Sequence, residues 1–232
     1  MADECVAALD SGGYKQLKMR IGKEPQEDAA RVAAVRAAVG EEVDLMVDVN
    51  EAWDFDQAQA TLPLLDKYGL VWLEEPGKLD RPADDFTAPD RLCGEIAKIT
   101  EIPIASGENH ISLAECKSLI EHGRIRYMQF DAVKNGGLTE YIKVAGHSLA
   151  NAIMLAPHHV PHFHAHIAAA MPHGFIVETF DNAKQHPAWP DLFDGFPEVR
   201  NGEMVLRDAP GWGMEINNDF VDRCGVKVAW RK

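Results

Sequence analysis

The stretch Leu70-Val71-Trp72-Leu73-Glu74-Glu75-Pro76 decides the fold. Its leading apolar residues suit one buried strand, and the run stops at two adjacent acids and a proline, so the strand delivers a carboxylate to the rim of a sheet. The same device recurs along the chain. Leu45-Met46-Val47 runs into Asp48, Ile102-Pro103-Ile104-Ala105 runs through Ser106-Gly107 into Glu108, and Tyr127-Met128-Gln129-Phe130 runs into Asp131. Ile153-Met154-Leu155 leads to His158, and Phe175-Ile176-Val177 leads to Glu178. From Asp48 the steps are 26, 34, 23, 27 and 20 residues, each about the length of one strand, loop, helix and return loop in a parallel α/β unit. A polar group thus sits at the same end of successive strands. In a (β/α)8 barrel that end carries the chemistry.

Working outward, residues 2–11 have near-helical apolar spacing, so the chain opens in a helix with no strand before it. Strands are expected at residues 14–21, 44–49, 70–73, 102–105, 127–130, 153–155 and 175–177. Helices are expected at 26–39, 55–68, 91–99, 113–122, 138–151 and 164–170. That makes seven strands where a closed barrel of this type needs eight. The expected fold is an α/β, TIM-type (β/α) barrel lacking its first strand, which would lie upstream of residue 1. Residues 1–195 are assigned to the barrel. Residues 196–232 form a tail with a hairpin that pairs 203–207 with 212–216 through Ala209-Pro210-Gly211, capping an edge or meeting a further domain.

Composition sets bounds on partners. The 232 residues suffice for one well-buried domain and fall slightly short of the roughly 250 of an eightfold barrel. With 37 acidic against 23 basic side chains the formal charge is −14, and no run of Lys and Arg interrupts it, which argues against nucleic acid or an anionic membrane. An acidic barrel mouth suits a cation instead. Cys5, Cys93, Cys116 and Cys224 lie far apart with no Cys-x-x-Cys pair, so neither a zinc knuckle nor a redox motif is indicated. No apolar stretch reaches the roughly 20 residues of a membrane span, and the acidic start Met1-Ala2-Asp3-Glu4 is unlike a signal peptide. A cytoplasmic protein with reduced thiols is expected.

Taken in order, the motifs LKMRIG (17–22), MVDVNEAW (46–53), WLEEP (72–76), SGEN (106–109), FDAVKNGG (130–137), PHH (157–159) and VETF (177–180) resemble the barrel domain of the enolase superfamily, mandelate racemase subgroup, which includes many sugar-acid dehydratases. The resemblance covers nearly the whole chain. It implies that Asp48, Glu74 and Glu108 are ligands of one Mg2+, that Lys18 and Arg20 fill the Lys-x-Lys place, and that Asp131 and His158 form the Asp-His dyad. Glu178 is the acid beyond the dyad, and Asn50, with Lys18 and Arg20, contacts substrate. Three carboxylates at neighbouring strand ends suit the hard oxygen cage Mg2+ prefers. The family uses such an ion to stabilise the enediolate formed when an α-proton leaves.

Two departures shape the reading. Arg20 stands where the subgroup often has Lys, and a guanidinium with pKa above about 12 is a poor proton acceptor. A two-base racemase or epimerase is therefore handicapped, whereas loss of water from a sugar acid, giving a 2-keto-3-deoxy acid, can run on His158 alone. The family's N-terminal capping domain, like the first strand, has no counterpart in these residues, which leaves a non-catalytic remnant as an alternative. Unpaired strand edges invite association, so a homo-oligomer is expected. His158, His159, His162, His164 and His166 crowd nine positions and could suggest a zinc hydrolase. The triplet after Pro161 reads instead as a helix start that splits its side chains over different faces, so His162, His164 and His166 are expected to be structural. Any one of Asp48, Glu108 and Asp131 alone reads more readily as a helix cap or turn residue, and three acids at matching strand ends reverse that balance.

Overall fold

A computed structural model describes residues 2–78, 85–180 and 188–225. Residues 79–84 of the acidic, proline-containing loop and 226–232 of the expected tail lie outside the described residues. Helix α1 (Ala2–Gly12) precedes β1 (Gln16–Arg20), and α2 (Pro25–Val39), β2 (Asp44–Asp48), α3 (Phe55–Leu65) and β3 (Leu70–Glu74) follow. The alternation continues through α4 (Ala88–Ala97), β4 (Ile104–Ser106), α5 (Leu113–His122), β5 (Tyr127–Met128), α6 (Gly137–Ala150), β6 (Met154–Leu155) and α7 (Pro161–Ala170). The six strands form one parallel sheet in sequence order. This is a TIM-type (β/α) barrel domain.

Local chemistry fixes the element ends. Asp54 caps α3 in a box with Gln57, each side chain bonding the other's backbone N–H, and Ser112 accepts from Glu115 N to cap α5. Proline at the first turn starts α2, α4 and α7. For α7 this moves the start three residues ahead of the expected 164–170, so all three later histidines lie in the helix.

The strand period of two divides the core. Leu45, Val47 and Leu73 face the helices in the main cluster, while Met46, Trp72, Ala105 and Ala156 form a second, inner layer. Because Asp48 lies two residues beyond Met46 and Glu74 two beyond Trp72, each acid shares the inner face with an apolar residue of that layer. Trp72, Tyr127 and Phe175 stack in the same interior, with ring centroids 5.1 and 5.0 Å apart along that chain.

Two expectations differ from the structure. Residues 175–177 do not form a strand. His173 O and Phe175 N bond Leu155 at 2.9 and 2.8 Å in a single parallel bridge, Leu155 to Gly174. Only one side of this segment has a partner, because β1 pairs only with β2 among the described residues. A cavity of about 530 Å3 separates the two edges, lined by Gln16, Lys18, Trp72, Phe175 and Glu178 among others.

The tail hairpin also pairs differently. Glu198–Arg200 (β8) pairs with Glu203–Val205 (β9), while Phe193–Asp194 (β7), after the short α8 (Trp189–Leu192), pairs with Glu215–Ile216 (β10), and α9 (Asn218–Cys224) follows. Asn201 and Gly202 have φ of 53° and 79°, the two positive values a two-residue hairpin turn needs. This signal outcompetes Ala209-Pro210-Gly211. Gly202 N also bonds Gly12 O at 2.7 Å, fastening the hairpin to the end of α1.

Candidate active site

The strand ends bring their polar groups into one connected ring. Lys18, inward-facing on β1, places Nζ 2.5 Å from Glu74 Oε1, 3.7 Å from Asp48 Oδ2 and 2.8 Å from Glu178 Oε1. It therefore bridges the open side of the barrel. Glu178 Oε2 accepts from His159 N at 2.8 Å. Next to it His158 Nδ1 lies 3.0 Å from Asp131 Oδ2, and Nε2 lies 3.4 Å from Glu108 Oε2. Arg20, on the same face as Lys18 and in register with Asp48, has Nε 3.6 Å from Asp48 Oδ2 and stays 72% exposed. Asn50 sits one step past the rim with φ 50°, its N–H donating to Asp48 Oδ1 at 2.8 Å.

Charge distribution sets the protonation of these groups. Burial would lower the pKa of Lys18, but Glu74, Glu178 and Asp48 together raise it, so the ammonium stays charged. Burial pushes Glu74 up to about 7, with Asp48 and Glu178 adding to the rise and Lys18 opposing it. Glu75 reaches about 9, through burial and then the charges of Glu108, Glu51, Glu74 and Asp48. For His158 burial acts downward, yet the Asp131 hydrogen bond and the charges of Glu108 and Glu178 raise its pKa overall. Asp131 falls despite burial, because His158 and the Lys134 and Val133 amides bond it. Glu178 falls despite burial, because Lys18 and the His159 amide hold its charged form.

Asp48, Glu74 and Glu178 thus surround the Lys18 ammonium, while Glu108 and Asp131 flank His158. Hard oxygen donors in such excess fit a divalent cation in kind. Their positions are not those of a gathered cage: among the described residues no three His, Cys, Asp or Glu groups converge to hold a metal ion. Lys18 is itself the cation that Asp48 and Glu74 share.

Several side chains in this arrangement escaped the sequence reading. Trp72 Nε1 donates to Glu74 Oε2 at 3.0 Å from two residues upstream, a pair the strand period could have suggested. Asn109 bonds Glu51 and Glu75 at 2.8 and 3.2 Å and takes Lys134 Nζ at 3.3 Å. His164, buried at 0% exposure, touches the backbone on both sides of the dyad, a relation no local pattern announces.

Parallel strands delivering acids to one mouth define a (β/α) barrel domain with an anionic centre. The sequence model of the enolase C-terminal domain-like family matches residues 1–220, and the chain belongs to that family, within the enolase superfamily. The L-talarate/galactarate dehydratase of Salmonella typhimurium is 32% identical over 207 residues, 88% of this chain and 48% of the relative. The 3,6-anhydro-alpha-L-galactonate cycloisomerase of Streptomyces coelicolor is 30% identical over 220 residues, 93% of this chain and 56% of the relative. The crystal structure of L-talarate dehydratase from Polaromonas sp. JS666, complexed with Mg and L-glucarate, matches with a TM-score of 0.82 at 33% identity, covering 96% of this chain and 59% of that one. The chain spans about half the length of the curated relatives it matches.

Proposed function

We propose that the chain is the barrel domain of a Mg2+-dependent dehydratase that converts an aldonate or aldarate to a 2-keto-3-deoxy acid. The observation that carries the reading is His158 held by Asp131 at 3.0 Å, inside a ring of carboxylates that Lys18 closes. Asp131, whose charged form is favoured, accepts from Nδ1–H, which leaves the lone pair on Nε2 to take the α-proton of a substrate in the mouth. The same nitrogen then returns the proton to the departing 3-hydroxyl. One water leaves, and the enol left behind becomes the ketone. Lys18 and Arg20 neutralise the substrate carboxylate, Glu178 orients Lys18, and Asn50 meets a substrate hydroxyl.

Asp48, Glu74 and Glu108 would hold Mg2+. When bound, the ion supplies positive charge toward the substrate carboxylate as the α-proton leaves.

Arg20 supports elimination over racemisation: a guanidinium does not offer the second base a racemase or epimerase needs. The division at residue 195 and a cytoplasmic, homo-oligomeric state belong to the same reading. The edge of β1 that has no strand partner among the described residues supports association; the described helices include none long and apolar enough to cross a membrane.

The test is a panel of aldonates and aldarates incubated with the chain and Mg2+, scored for 2-keto-3-deoxy acids. Product that disappears with a chelator and in His158→Asn is expected. Stereochemical inversion without keto product would transfer the assignment to an epimerase, and no conversion of any kind would defeat it.

A further inference from the structure

His164 lies on α7, behind the mouth rather than in it. Its two ring nitrogens meet two different loops: Nδ1 is 2.8 Å from His159 O, and Nε2 is 3.1 Å from Ala132 N. A carbonyl only accepts and an amide N–H only donates, so Nδ1 must carry the proton and Nε2 the lone pair. The ring is therefore neutral and in one tautomer. Asp131 immediately precedes Ala132, and His158 immediately precedes His159. One imidazole thus ties together the backbone units next to both members of the dyad.

The loop after β6 needs such a tie. His159 and Val160 have φ of 56° and 35°, a left-handed pair that a β-branched residue strongly disfavours. His159 is gripped on both sides, its N–H by Glu178 and its carbonyl by His164. Relaxation of that pair would carry His158 with it. The loop after β5 is fixed similarly: Asp131 Oδ1 accepts from Val133 N at 2.8 Å and Lys134 N at 3.1 Å, and His164 takes the intervening Ala132 N–H. Asp131 Oδ1 stays 3.8 Å from His164 Nε2, outside hydrogen-bond range. Burial lowers the pKa of His164, in keeping with the neutral ring that the hydrogen bonds demand.

We propose that His164 is a positioning residue for the Asp131–His158 pair, a neutral bracket that sets the spacing between the loops after β5 and β6. The proposal rests on the reading of that pair as the acid–base unit. It never touches substrate. Its removal therefore acts on kcat and leaves KM nearly alone, since a dyad displaced by about 1 Å costs on the order of 10²-fold in rate.

The experiment compares the full chain with His164→Phe, His164→Asn and His164→Gln. Phenylalanine keeps a ring without donors or acceptors, asparagine keeps a donor near Nδ1 but no acceptor at the reach of Nε2, and glutamine can offer both. The readouts are the downfield proton resonance of His158 Nδ1–H, hydrogen exchange at the Ala132 amide, and kcat and KM on any sugar acid the wild type dehydrates. In folded His164→Phe the resonance and the Ala132 protection should disappear and kcat should fall by about 10- to 100-fold at similar KM, with partial recovery in His164→Gln. If His164→Phe does not fold, His164→Asn decides by the same loss of resonance and protection. A folded variant that keeps the resonance and wild-type kcat overturns the proposal. The resonance is independent of turnover, so its loss in a chain that dehydrates nothing would refute the dehydratase reading while supporting the bracket.

Discussion

Glu75→Gln should stabilise the protein, and by an amount that depends on pH. Glu75 is 4% exposed; Oε1 accepts from Asn109 at 3.2 Å, and Oε2 has no hydrogen-bond partner among the described residues. Glu75 lines a small cavity of about 20 Å3 together with His110 and Ser106. With a folded pKa of about 9 against an ordinary 4.5, the native state holds a proton that the unfolded chain releases. The sign follows: stability falls as pH rises from the unfolded value toward the folded one, and the loss is complete above the latter. At pH 7 the carboxyl is about 2.5 pH units above its ordinary value, at about 1.4 kcal/mol each, so keeping it neutral costs ~3 kcal/mol. A glutamine is neutral throughout and retains the acceptor for Asn109. Urea unfolding with chelator present should show Glu75→Gln more stable by about 3 kcal/mol at pH 7 and by under about 1 kcal/mol at pH 5. Equal stability at both pH values, or a destabilised variant at pH 7, would show that Glu75 is ionised in the folded protein.

Other perturbations address separate parts of the ring. Lys18→Met leaves Glu74 and Glu178 without their shared cation and should cost about 3 kcal/mol in urea unfolding at pH 7; an unchanged midpoint would mean the ammonium is solvated elsewhere. His158→Asn should lower dehydration kcat by about 10²- to 10⁴-fold while Mg2+ affinity stays the same, and calorimetry beside a rate assay separates the two effects. Gly202→Ala places a Cβ 2.8 Å from Gly13 O at φ 79°, so thermal unfolding should show a loss of about 1–2 kcal/mol; no loss would mean the hairpin is loosely held.

The parts of this architecture that local pattern controls could be read from the chain. Apolar runs ending in acids gave the parallel strands and their spacing, because strand burial and the position of the rim are properties of a few consecutive residues. Residues 175–177 read equally well as a strand. Strand formation depends on a ladder of hydrogen bonds to a neighbour, and β6 supplies this segment with only the single bridge from Leu155 to Gly174. The tail pairs differently from the expected hairpin because Asn201-Gly202, with two positive φ values, makes the tight two-residue turn that Ala209-Pro210-Gly211 does not. Within the site, the meeting of Lys18 with Glu178 and of His164 with two loops depends on how strands and helices far apart in sequence come together. The helix pattern marks His164 as structural; its tautomer and its two backbone contacts depend on where the loops after β5 and β6 lie.

On the proposed function, the acidic mouth should take up one divalent cation through Asp48, Glu74 and Glu108. Titration calorimetry of Mg2+ into the chain and into Glu74→Gln, with circular dichroism confirming that both are folded, tests it most directly. The account predicts one saturable site in the wild type that the variant loses. A folded wild type that takes up no Mg2+, or a variant that binds it equally well, would contradict it.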